Sequence, residues 1–306
     1  MSKFAVNILG CGSAVPTLRH QPSAQVIDHR DRLFMVDCGE GAQLQMRRMR
    51  LKFSRLNHIF LSHLHGDHFL GLPGLLSTMA LHEKGSAVTV HTFREGAELL
   101  GSMMRFICGD TPFELNFHIL SPGQHGVIYE DDSLTVECFP LYHRVPTLGY
   151  IFREKPKPRH VRGDMIRFHG VPHYKVPEIK AGADFITPEG KTIANALLTS
   201  APEPAMSYAY CSDTIFDPRV ARAVAGVDTI YHEATYAEAD AAKARPRGHS
   251  TAAQAGKTAA QAGARRLILG HFSKRYLTEE PMIHEAAQFF SGEITAADEG
   301  MKINLL

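Results

Sequence analysis

The chain has 306 residues, of which 44% are hydrophobic and 21% charged, and its net charge at pH 7 is only +1. This composition supports one large or two small globular domains and excludes an intrinsically disordered chain. No apolar stretch reaches the roughly 18 residues that a membrane-spanning helix needs, and the N-terminus, Met1 to Phe4, shows no signal-peptide pattern. We therefore expect a cytoplasmic protein whose affinity for any polyanion comes from local basic patches.

Strand-like and helix-like segments alternate along the chain. Runs of β-branched and aromatic residues predict strands at residues 4–9, 33–36, 58–61, 88–92, 134–139, 149–152, 227–231 and 266–269. Segments with helical periodicity, several with a glycine or polar residue at a boundary, predict helices at 41–49, 70–81, 95–107, 251–262 and 282–290. This alternation is typical of α/β layers.

One interval, residues 154–204, interrupts the alternation. Seven prolines divide it into short irregular segments, which predicts an insertion rather than part of the core. Residues 151–180 contain eight basic side chains against three acidic ones, and a second stretch, residues 41–58, contains five basic side chains and no acidic one. A solvated loop is the alternative for the insertion, but two such patches in a nearly neutral chain indicate phosphate contacts.

The five cysteines are odd in number, widely spaced and free of any Cys-x-x-Cys pair. This pattern argues against both a disulfide framework and a thiolate zinc site.

A cluster of potential metal ligands follows the predicted strand 58–61. Three histidines and one aspartate occupy six consecutive positions, from His63 to His68. Imidazole nitrogen and carboxylate oxygen are the ligands that Zn²⁺ takes when one position must stay open for water. A histidine-rich turn without metal is the alternative in a chain with 18 histidines. Burying four such groups without a metal would cost roughly several kcal/mol, so we interpret the cluster as half of a binuclear metal site.

Other potential ligands stand where later strands end. His143 follows strand 134–139, Asp213 follows the segment 208–212, and His271 follows the segment 267–270. Each of them alone is more often a capping or core polar residue. Together with the first cluster, they supply enough ligands for two metal ions.

At this point the chain resembles the metallo-β-lactamase superfamily and, within it, the tRNase Z family. The motifs are His63-x-His65-x-Asp67-His68, Asp37 to Gly41, Tyr210 to Thr214, His232 to Thr235, Gly248 to Thr251 and Gly270 to Ser273. The resemblance covers nearly the whole chain. It implies a metallo-β-lactamase αβ/βα sandwich, with two mixed sheets flanked by helices. Residues 1–306 would form this single domain, and residues 154–204 would be an inserted flexible arm, basic and able to bind tRNA.

The resemblance also implies a ligand set for two Zn²⁺ ions per subunit. One zinc would be held by His63, His65 and His143, and the other by Asp67, His68 and His271. Asp213 would bridge the two ions, which would share a hydroxide.

The reaction implied is removal of the 3′ trailer from precursor tRNA by phosphodiester hydrolysis, which leaves a 3′-hydroxyl on the tRNA and a 5′-phosphate on the trailer. His249 would protonate the leaving oxygen, Glu233 would orient His249, and Asp67 would act as the base. The alternative for His249 is an N-cap of the helix that begins near Thr251. For His232, a structural or ligand-supporting role is expected.

Substrate binding is assigned to the arm, through Arg159, Arg162, Arg167 and Lys175, and the resemblance implies a homodimer. Two departures from the family pattern concern the arm, which reads Gly-Val-Pro-His-Tyr at residues 170–174, and the loop at residues 16–22. The main alternative is a general zinc phosphodiesterase or an arylsulfatase-like hydrolase. A non-catalytic, metal-containing RNA-binding protein is a third interpretation.

Overall fold

A computed structural model of the chain describes residues 4–82 and 85–305. The N-terminal residues 1–3, part of the segment in which we find no signal-peptide pattern, lie outside the described residues. Within the described part, no helix is both long enough and apolar enough to cross a membrane.

Seven strands form the first sheet, in the order β18-β1-β2-β3-β4-β5-β6. Their bounds are β1 (Phe4–Gly10), β2 (Ala24–His29), β3 (Arg32–Cys38), β4 (Leu56–Phe60), β5 (Val88–Thr92), β6 (Leu115–Ile119) and β18 (Lys302–Asn304). The sheet is mixed, because β18, β1, β2 and β3 pair antiparallel whereas β3, β4, β5 and β6 pair parallel. The parallel strands therefore end at one edge, where the metal-ligand motif begins.

The second large sheet also has seven strands, in the order β17-β16-β15-β14-β9-β8-β7. Its members are β7 (Gly126–Glu130), β8 (Leu134–Tyr142), β9 (Pro146–Glu154), β14 (Ser207–Cys211), β15 (Thr229–Glu233), β16 (Arg266–Gly270) and β17 (Glu293–Ala296). Strands β14 to β17 run parallel. Asp213, Glu233 and His271 lie at or just after the ends of β14, β15 and β16, so the topology brings them to one edge.

Helices cover these sheets. They are α1 (Ala42–Arg48), α2 (Gly66–Phe69), α3 (Leu72–Leu81), α4 (Arg94–Cys108), α8 (Pro218–Ala223), α9 (Ala241–Arg247), α10 (Ala252–Ala262) and α11 (Glu280–Ala287). Local signals set several boundaries. The Asp217 side chain caps α8 just before Pro218, and Thr251 and Gln254 form a capping box at the start of α10. Helix α10 then ends at Gly263, whose φ of 70° suits glycine.

The described chain divides into two compact units. The larger unit comprises residues 4–82, 85–129, 136–152 and 206–305. It contains most of both seven-stranded sheets and the whole metal-ligand motif. The smaller comprises residues 130–135 and 153–205. It contains α5 (Gly163–Phe168), α6 (Val176–Lys180), α7 (Asn195–Leu198) and four two-residue strands, β10 (His160–Val161), β11 (Phe185–Ile186), β12 (Thr192–Ile193) and β13 (Thr199–Ser200).

The smaller unit is more ordered than the proline-rich sequence suggests. Its short elements pack around a core of Val171, Ile179, Phe185, Ile193 and Leu198. Two two-stranded ladders, β10 with β13 and β11 with β12, hold the segment together. The prolines therefore limit the length of each element but do not prevent a small core.

Candidate metal centre

Five of the seven predicted metal ligands, His65, Asp67, His143, Asp213 and His271, line one cleft of about 380 Å³ in the larger unit, and His63 and His68 are fully buried beside them. Three overlapping groups of side chains with converging nitrogen and oxygen atoms lie there: one of four residues, one of three, and a third formed by Asp213, His249 and His271. His63, His65, Asp67 and His68 come from the segment after β4, and His143, Asp213 and His271 come from segments that follow β8, β14 and β16. The sequence-based set is thus brought together in space.

The first group consists of His63, His65, His143 and Asp213. The Nδ1 atom of His65 lies 3.0 Å from His63 Nε2 and 3.3 Å from His143 Nε2. Asp213 presents its Oδ2 atom at 3.7 Å from His63 Nε2 and 3.8 Å from His143 Nε2. Three ring nitrogens and one carboxylate oxygen therefore face a common point.

The second group consists of Asp67, His68 and His271. The Nε2 atoms of His68 and His271 are 3.3 Å apart, and Asp67 Oδ2 lies 3.6 and 3.5 Å from them. The Oδ1 atom of Asp213 adds a fourth donor, 3.1 Å from His271 Nε2 and 3.5 Å from His68 Nε2. Asp213 therefore directs one carboxylate oxygen at each group.

These donors fit divalent cations. Asp213 Oδ1 is buried and accepts no hydrogen bond from any residue that the structure describes, although ring nitrogens surround it. A buried carboxylate oxygen left in this way is costly unless a positive charge compensates it. Histidine nitrogen and carboxylate oxygen are the donors that zinc and related ions take in proteins.

The hydrogen bonds behind the cluster fix the tautomers of two ligands. His143 Nδ1 donates to the carbonyl oxygen of Gly248 at 2.7 Å, and His68 Nδ1 donates to Asp37 Oδ2 at 2.7 Å. Because both partners are acceptors, Nδ1 carries a proton in each case, and Nε2 is the ring nitrogen that faces the cluster. Such an arrangement is typical of metal-binding histidines.

Asp37 supports the proposed ligand His68, although the site residues predicted from the sequence do not include it. Its fully buried carboxylate accepts from Ser62 N at 2.7 Å, Ser62 Oγ at 2.8 Å and Tyr210 OH at 2.9 Å, in addition to His68. It has a φ of 55°, in the left-handed region, which a non-glycine residue adopts at a cost. The signal in the sequence was the turn Asp37 to Gly41, from which we did not infer this role.

The electrostatics differ between the two groups. Burial lowers the pKa of His63, His65 and His143, which keeps these imidazoles in the neutral form that binds metal. Burial also lowers the pKa of His68, but the carboxylates of Asp213 and Asp37 more than offset this and raise it to about 10. The carboxylates around His68 thus stabilise positive charge at this point.

Asp67 is held by the chain segment that follows β1. Its Oδ2 atom accepts a 2.7 Å hydrogen bond from the backbone N–H of Ala14, whose φ of 64° is left-handed. Burial raises the pKa of Asp67, but the contacts with His271 and His68 outweigh this and hold it well below its usual range. Asp67 is therefore ionised at neutral pH, and the loop at residue 14 closes one side of the cleft.

His249 lies on the wall of the same cleft, beside His143 and His271. Its Nδ1 atom is 3.0 Å from Oε1 of Glu233, which is fully buried. Burial lowers the pKa of His249, but the Glu233 carboxylate more than offsets this and raises it to about 9. The imidazole is therefore protonated near neutral pH and borders the cleft.

Glu233 is fixed from several sides. Its Oε1 accepts the backbone N–H groups of Thr214 and Ser250, each at 3.0 Å, and its Oε2 accepts the Thr235 hydroxyl at 2.6 Å. The N-cap of α10 is Thr251, not His249, so the capping alternative for His249 is wrong. The His249 side chain is left to face the cleft.

His232 does not reach the cleft. It is buried, its Nδ1 donates to the carbonyl of Glu233 at 2.7 Å, and no described residue hydrogen-bonds its Nε2. Burial lowers the pKa of this imidazole, so it is neutral. A structural contribution next to Glu233 fits these contacts.

The four arm residues predicted to bind substrate lie in the smaller unit. Arg159 is half-buried and donates to Thr199 Oγ1 at 2.7 Å, Arg162 pairs with Asp164 at 3.7 Å, and Lys175 pairs with Glu178 at 2.9 Å. Arg167 is exposed in the last turn of α5. Exposed ion pairs of this kind contribute little to stability, so they do not prevent these side chains from contacting phosphate.

Several curated relatives that match the chain over nearly its whole length are named ribonuclease Z. The chain is 49% identical to ribonuclease Z of Bacteroides fragilis over 298 residues, which cover 97% of this chain and 98% of the relative. It is 48% identical to ribonuclease Z of Parabacteroides distasonis over 305 residues, which cover 100% of both chains. A sequence-family model described as "Anti-Pycsar protein Apyc1" matches residues 4–143.

Solved structures show the same fold. The short form of human tRNase Z is similar with a TM-score of 0.72 and 24% identity, covering 99% of both chains. The metallo-beta-lactamase fold protein YhfI from Bacillus subtilis is similar with a TM-score of 0.69 and 17% identity, again covering 99% of both chains. The predicted metallo-β-lactamase fold, with two mixed sheets flanked by helices, is confirmed, and the chain belongs to the ribonuclease Z family.

Proposed function

We propose that this protein removes the 3′ trailer from precursor tRNA by metal-dependent hydrolysis of one phosphodiester bond. The observation that carries the proposal is the cluster of seven metal-donor side chains beside a cleft that is also lined by His249, whose Nδ1 contacts the buried Glu233. The relatives named ribonuclease Z support the substrate class.

We assign His63, His65 and His143 to one metal ion, Asp67, His68 and His271 to a second, and Asp213 to both. Zinc is the expected metal, because its common ligands are those present. Two such ions would act as Lewis acids that polarise the scissile phosphate and make water a better nucleophile at neutral pH. Of the side chains that would hold them, His68 is oriented by Asp37 and His143 by the carbonyl oxygen of Gly248.

His249 is assigned as the general acid. Cleavage that leaves a 3′-hydroxyl on the tRNA breaks the bond between phosphorus and O3′, and this oxygen needs a proton as it departs. The protonated imidazole borders the cleft and can donate from Nε2, because Nδ1 is engaged by Glu233. Glu233 orients the ring and stabilises its charge.

Asp67 is assigned as the group that accepts a proton from the attacking water. Its carboxylate is ionised, and the Ala14 N–H holds its orientation. Asp67 thus stands among the ligands, on the side of the cleft formed by the loop at residue 14.

Recognition of the tRNA body is assigned to the arm at residues 154–204, including Arg159, Arg162, Arg167 and Lys175. The ion pair of Lys157 and Glu154 at 2.9 Å is nearly fully buried and holds the arm's own base. The arm therefore has a buried ion pair at its base and a small apolar core, and it presents basic side chains at its surface, as binding to a phosphate backbone requires.

A second copy of the chain is the proposed protein partner. Helix α3 contains no charged residue, yet one face of it is exposed. Leu70, which lies just before α3, and Gly74, Thr78 and Leu81 within it follow helical spacing and form what we call the stripe; Leu70 and Leu81 are 61% and 83% exposed. A helix that is apolar on all sides is normally covered on all sides. A homodimer that buries this stripe explains why so much apolar surface of α3 is exposed in one copy.

We place the protein in the cytoplasm, where precursor tRNA is made in bacteria such as the named relatives.

A comparison of substrates tests the proposal. The purified enzyme is assayed on a precursor tRNA with a 3′ trailer and on bis(p-nitrophenyl) phosphate, each with and without a chelator. We expect chelator-sensitive cleavage of the precursor at a kcat/KM far above that for the small ester. Hydrolysis of the ester without cleavage of the precursor would favour a general phosphodiesterase instead, and binding of the precursor without cleavage of either substrate would favour a non-catalytic RNA-binding protein.

A further inference from the structure

The loop that follows β1 is held at its far end by a buried histidine. The two ring nitrogens of His20 face two carboxylates: Nδ1 lies 2.8 Å from Glu299 Oε2, and Nε2 lies 3.1 Å from Glu279 Oε1. Glu279 directly precedes α11, and Glu299 lies between β17 and β18. We call these three residues the clasp, because they join the loop to segments that lie 259 and 279 positions later in the chain.

The clasp requires a charged imidazole. Each ring nitrogen can donate to its carboxylate only when both nitrogens carry a proton. Burial lowers the pKa of His20, but the hydrogen bonds and charges of Glu299 and Glu279 more than offset this and raise it above its ordinary value of 6.5. Burial raises the pKa of Glu299, but the hydrogen bond with His20 outweighs this and lowers that pKa. Removing one partner from such a buried pair is costly, because the other charge is left unpaired.

A metal ion is the alternative for this cluster. Cys11, His20 and Glu299 present a sulfur, a nitrogen and an oxygen close enough to share an ion. Hydrogen bonds already satisfy the carboxylate, however, because Glu299 Oε1 accepts from the backbone N–H of Gln21 at 2.8 Å and Oε2 accepts from His20. The Arg19 guanidinium adds a second cation, so the charges of the two glutamates of the clasp are balanced without a metal.

At its other end the loop reaches the proposed metal centre. The backbone N–H of Ala14 donates to Asp67 Oδ2 at 2.7 Å. The N–H of Ser13 donates to the carbonyl oxygen of Phe272, next to the proposed ligand His271, at 3.0 Å. Ala14 has a left-handed φ of 64°, which a residue with a side chain adopts at a cost and keeps only where the surrounding structure holds it. The contact with Asp67 therefore depends on what holds the loop.

Hydrogen bonds connect the two ends of the loop. The N–H of Thr17 donates to the carbonyl oxygen of His20 at 2.8 Å, and the Thr17 hydroxyl accepts from the N–H of His20 at 2.8 Å. The N–H of Gly12 donates to the carbonyl oxygen of Gln21 at 2.8 Å and closes the loop at its base. A Cβ atom at Gly12 would stand 3.0 Å from His20 Cβ, so His20 packs directly on the start of the loop.

We propose that His20 is a positioning residue, which acts through the loop to hold the Ala14 N–H against Asp67. The inference rests on the function proposed above for the role of Asp67 in the reaction. Because Asp67 is assigned both as a metal ligand and as the base, loss of the clasp should impair the chemical step on any phosphodiester, large or small. The proposal also accounts for the departure of residues 16–22 from the family pattern, since Arg19 and His20 serve here to hold the loop.

A comparison of two substrates tests this inference. His20→Gln, Glu299→Gln and the double variant are assayed on precursor tRNA and on bis(p-nitrophenyl) phosphate, and His125→Gln, a change at an exposed histidine, is the control. We expect His20→Gln to reduce kcat by about 10- to 100-fold on both substrates with little change in KM, as is usual when the support of a metal ligand is lost. The double variant should be no slower than the slower single variant, because both changes break the same contact.

Amide hydrogen exchange and metal affinity give readouts that need no substrate. Exchange at residues 12–20 should be faster in His20→Gln than in wild type, and competition with a chelator should show a metal affinity about 10-fold lower. If His20→Gln does not fold, Glu279→Gln removes one half of the clasp and should show the same changes to a smaller degree.

Three results would overturn the inference. Loss of activity on the precursor alone would mean that the loop recognises substrate rather than positions Asp67. Unchanged exchange and metal affinity in the clasp variants would mean that the loop is held by other contacts. Loss of one equivalent of bound metal in Cys11→Ser would mean that the cluster is a metal site. A wild type that cleaves no precursor would contradict the proposed function instead, and the exchange and affinity measurements would still decide for or against the clasp.

Discussion

The Nδ1 atom of His249 lies 3.0 Å from Oε1 of Glu233, and the same carboxylate oxygen accepts the backbone N–H groups of Thr214 and Ser250. Glu233 is thus fixed by the backbone and in turn fixes the imidazole beside the metal cluster. The pair links the proposed acid to the ends of β14 and β15 and to the start of α10, so its geometry depends on the fold rather than on a loose side chain.

Replacing His249 with alanine should reduce single-turnover cleavage of precursor tRNA by about 10²- to 10⁴-fold, because that is the usual contribution of a general acid. Metal content and tRNA affinity should be unchanged, since His249 belongs to neither proposed ligand triad. Metal analysis and filter binding check these two points, and His284→Ala, an exposed histidine on α11, is the control. Unimpaired cleavage by the His249 variant would contradict the assignment of His249 as the general acid.

Asp37→Asn should weaken metal affinity by about 10- to 100-fold, because Asp37 orients and polarises His68. Asparagine tolerates the left-handed backbone at this position, so the change removes the carboxylate without new strain. Metal affinity is measured by competition with a chelator. Asp31→Asn is a matched control, because Asp31 is also left-handed but exposed, and it should bind metal as wild type does. Equal affinities of the two variants would contradict the role of Asp37.

Much of the site was predictable from the sequence because the ligands follow strand ends. Three parallel strands carry the ligands Asp213 and His271, together with Glu233, to one edge, and the motif after β4 supplies four more ligands in one turn. Of the eight predicted strands, all correspond to observed ones, whereas β2, β6, β7, β17, β18 and the two-residue strands β10 to β13 were not predicted. Several of these, such as β6 and β7, have exposed or half-buried patterns without a clear apolar period.

The contacts of Asp37 and Ala14 could not be predicted in this way. Asp37 reaches His68 across 31 positions of sequence, and Ala14 reaches Asp67 across 53. Such pairs depend on the register of the sheet and on left-handed backbone at single residues. Neither of these features produces a periodic pattern in the sequence from which the contact could be predicted. The small core of the arm was missed for a related reason, since its five apolar residues are spread between prolines.

The arm should affect tRNA but not small substrates. The triple change of Arg162, Arg167 and Lys175 to alanine should weaken precursor binding several-fold at low salt. It should also make the slope of log K against log salt less steep, by about one for each phosphate that is no longer neutralised. Hydrolysis of bis(p-nitrophenyl) phosphate should be unchanged. A similar decrease on both substrates would show that the arm supports the fold of the site rather than recognition.

Acid stability should depend on His91, a buried histidine of β5. Burial, and then the neighbouring His58 and His118, lower its pKa to about 3 from the ordinary value of 6.5. Between these values the unfolded chain takes up a proton that the folded protein does not. The contribution of His91 to the free energy of unfolding is therefore fully present above pH 6.5. It is lost as the pH falls towards 3, and the loss is about a few kcal/mol in total.

His91→Gln should therefore lose less unfolding free energy than wild type between pH 7.5 and pH 5, measured by urea denaturation. His284→Gln should follow wild type, because His284 is exposed. Parallel pH dependence of wild type and the His91 variant would contradict the neutral, buried state of His91.

Leu81→Arg should convert a dimer into monomers, because it places a charge on the apolar stripe of α3. Analytical ultracentrifugation measures the change. Leu277→Arg is the control, since Leu277 is 88% exposed but lies outside this stripe. A wild-type monomer, or a dimer that survives the change at Leu81, would rule out this surface.

Mapping the ends of the products from one precursor tRNA tests the proposed metal-dependent cleavage most directly. Enzyme is used as purified, after metal removal, and after readdition of Zn²⁺. We expect a single cut that leaves a 3′-hydroxyl on the tRNA and a 5′-phosphate on the trailer, abolished when the metal is removed and restored when it is returned. Cleavage that survives complete metal removal, or products with a 3′-phosphate or cyclic phosphate on the tRNA, would show that the proposed reaction is wrong.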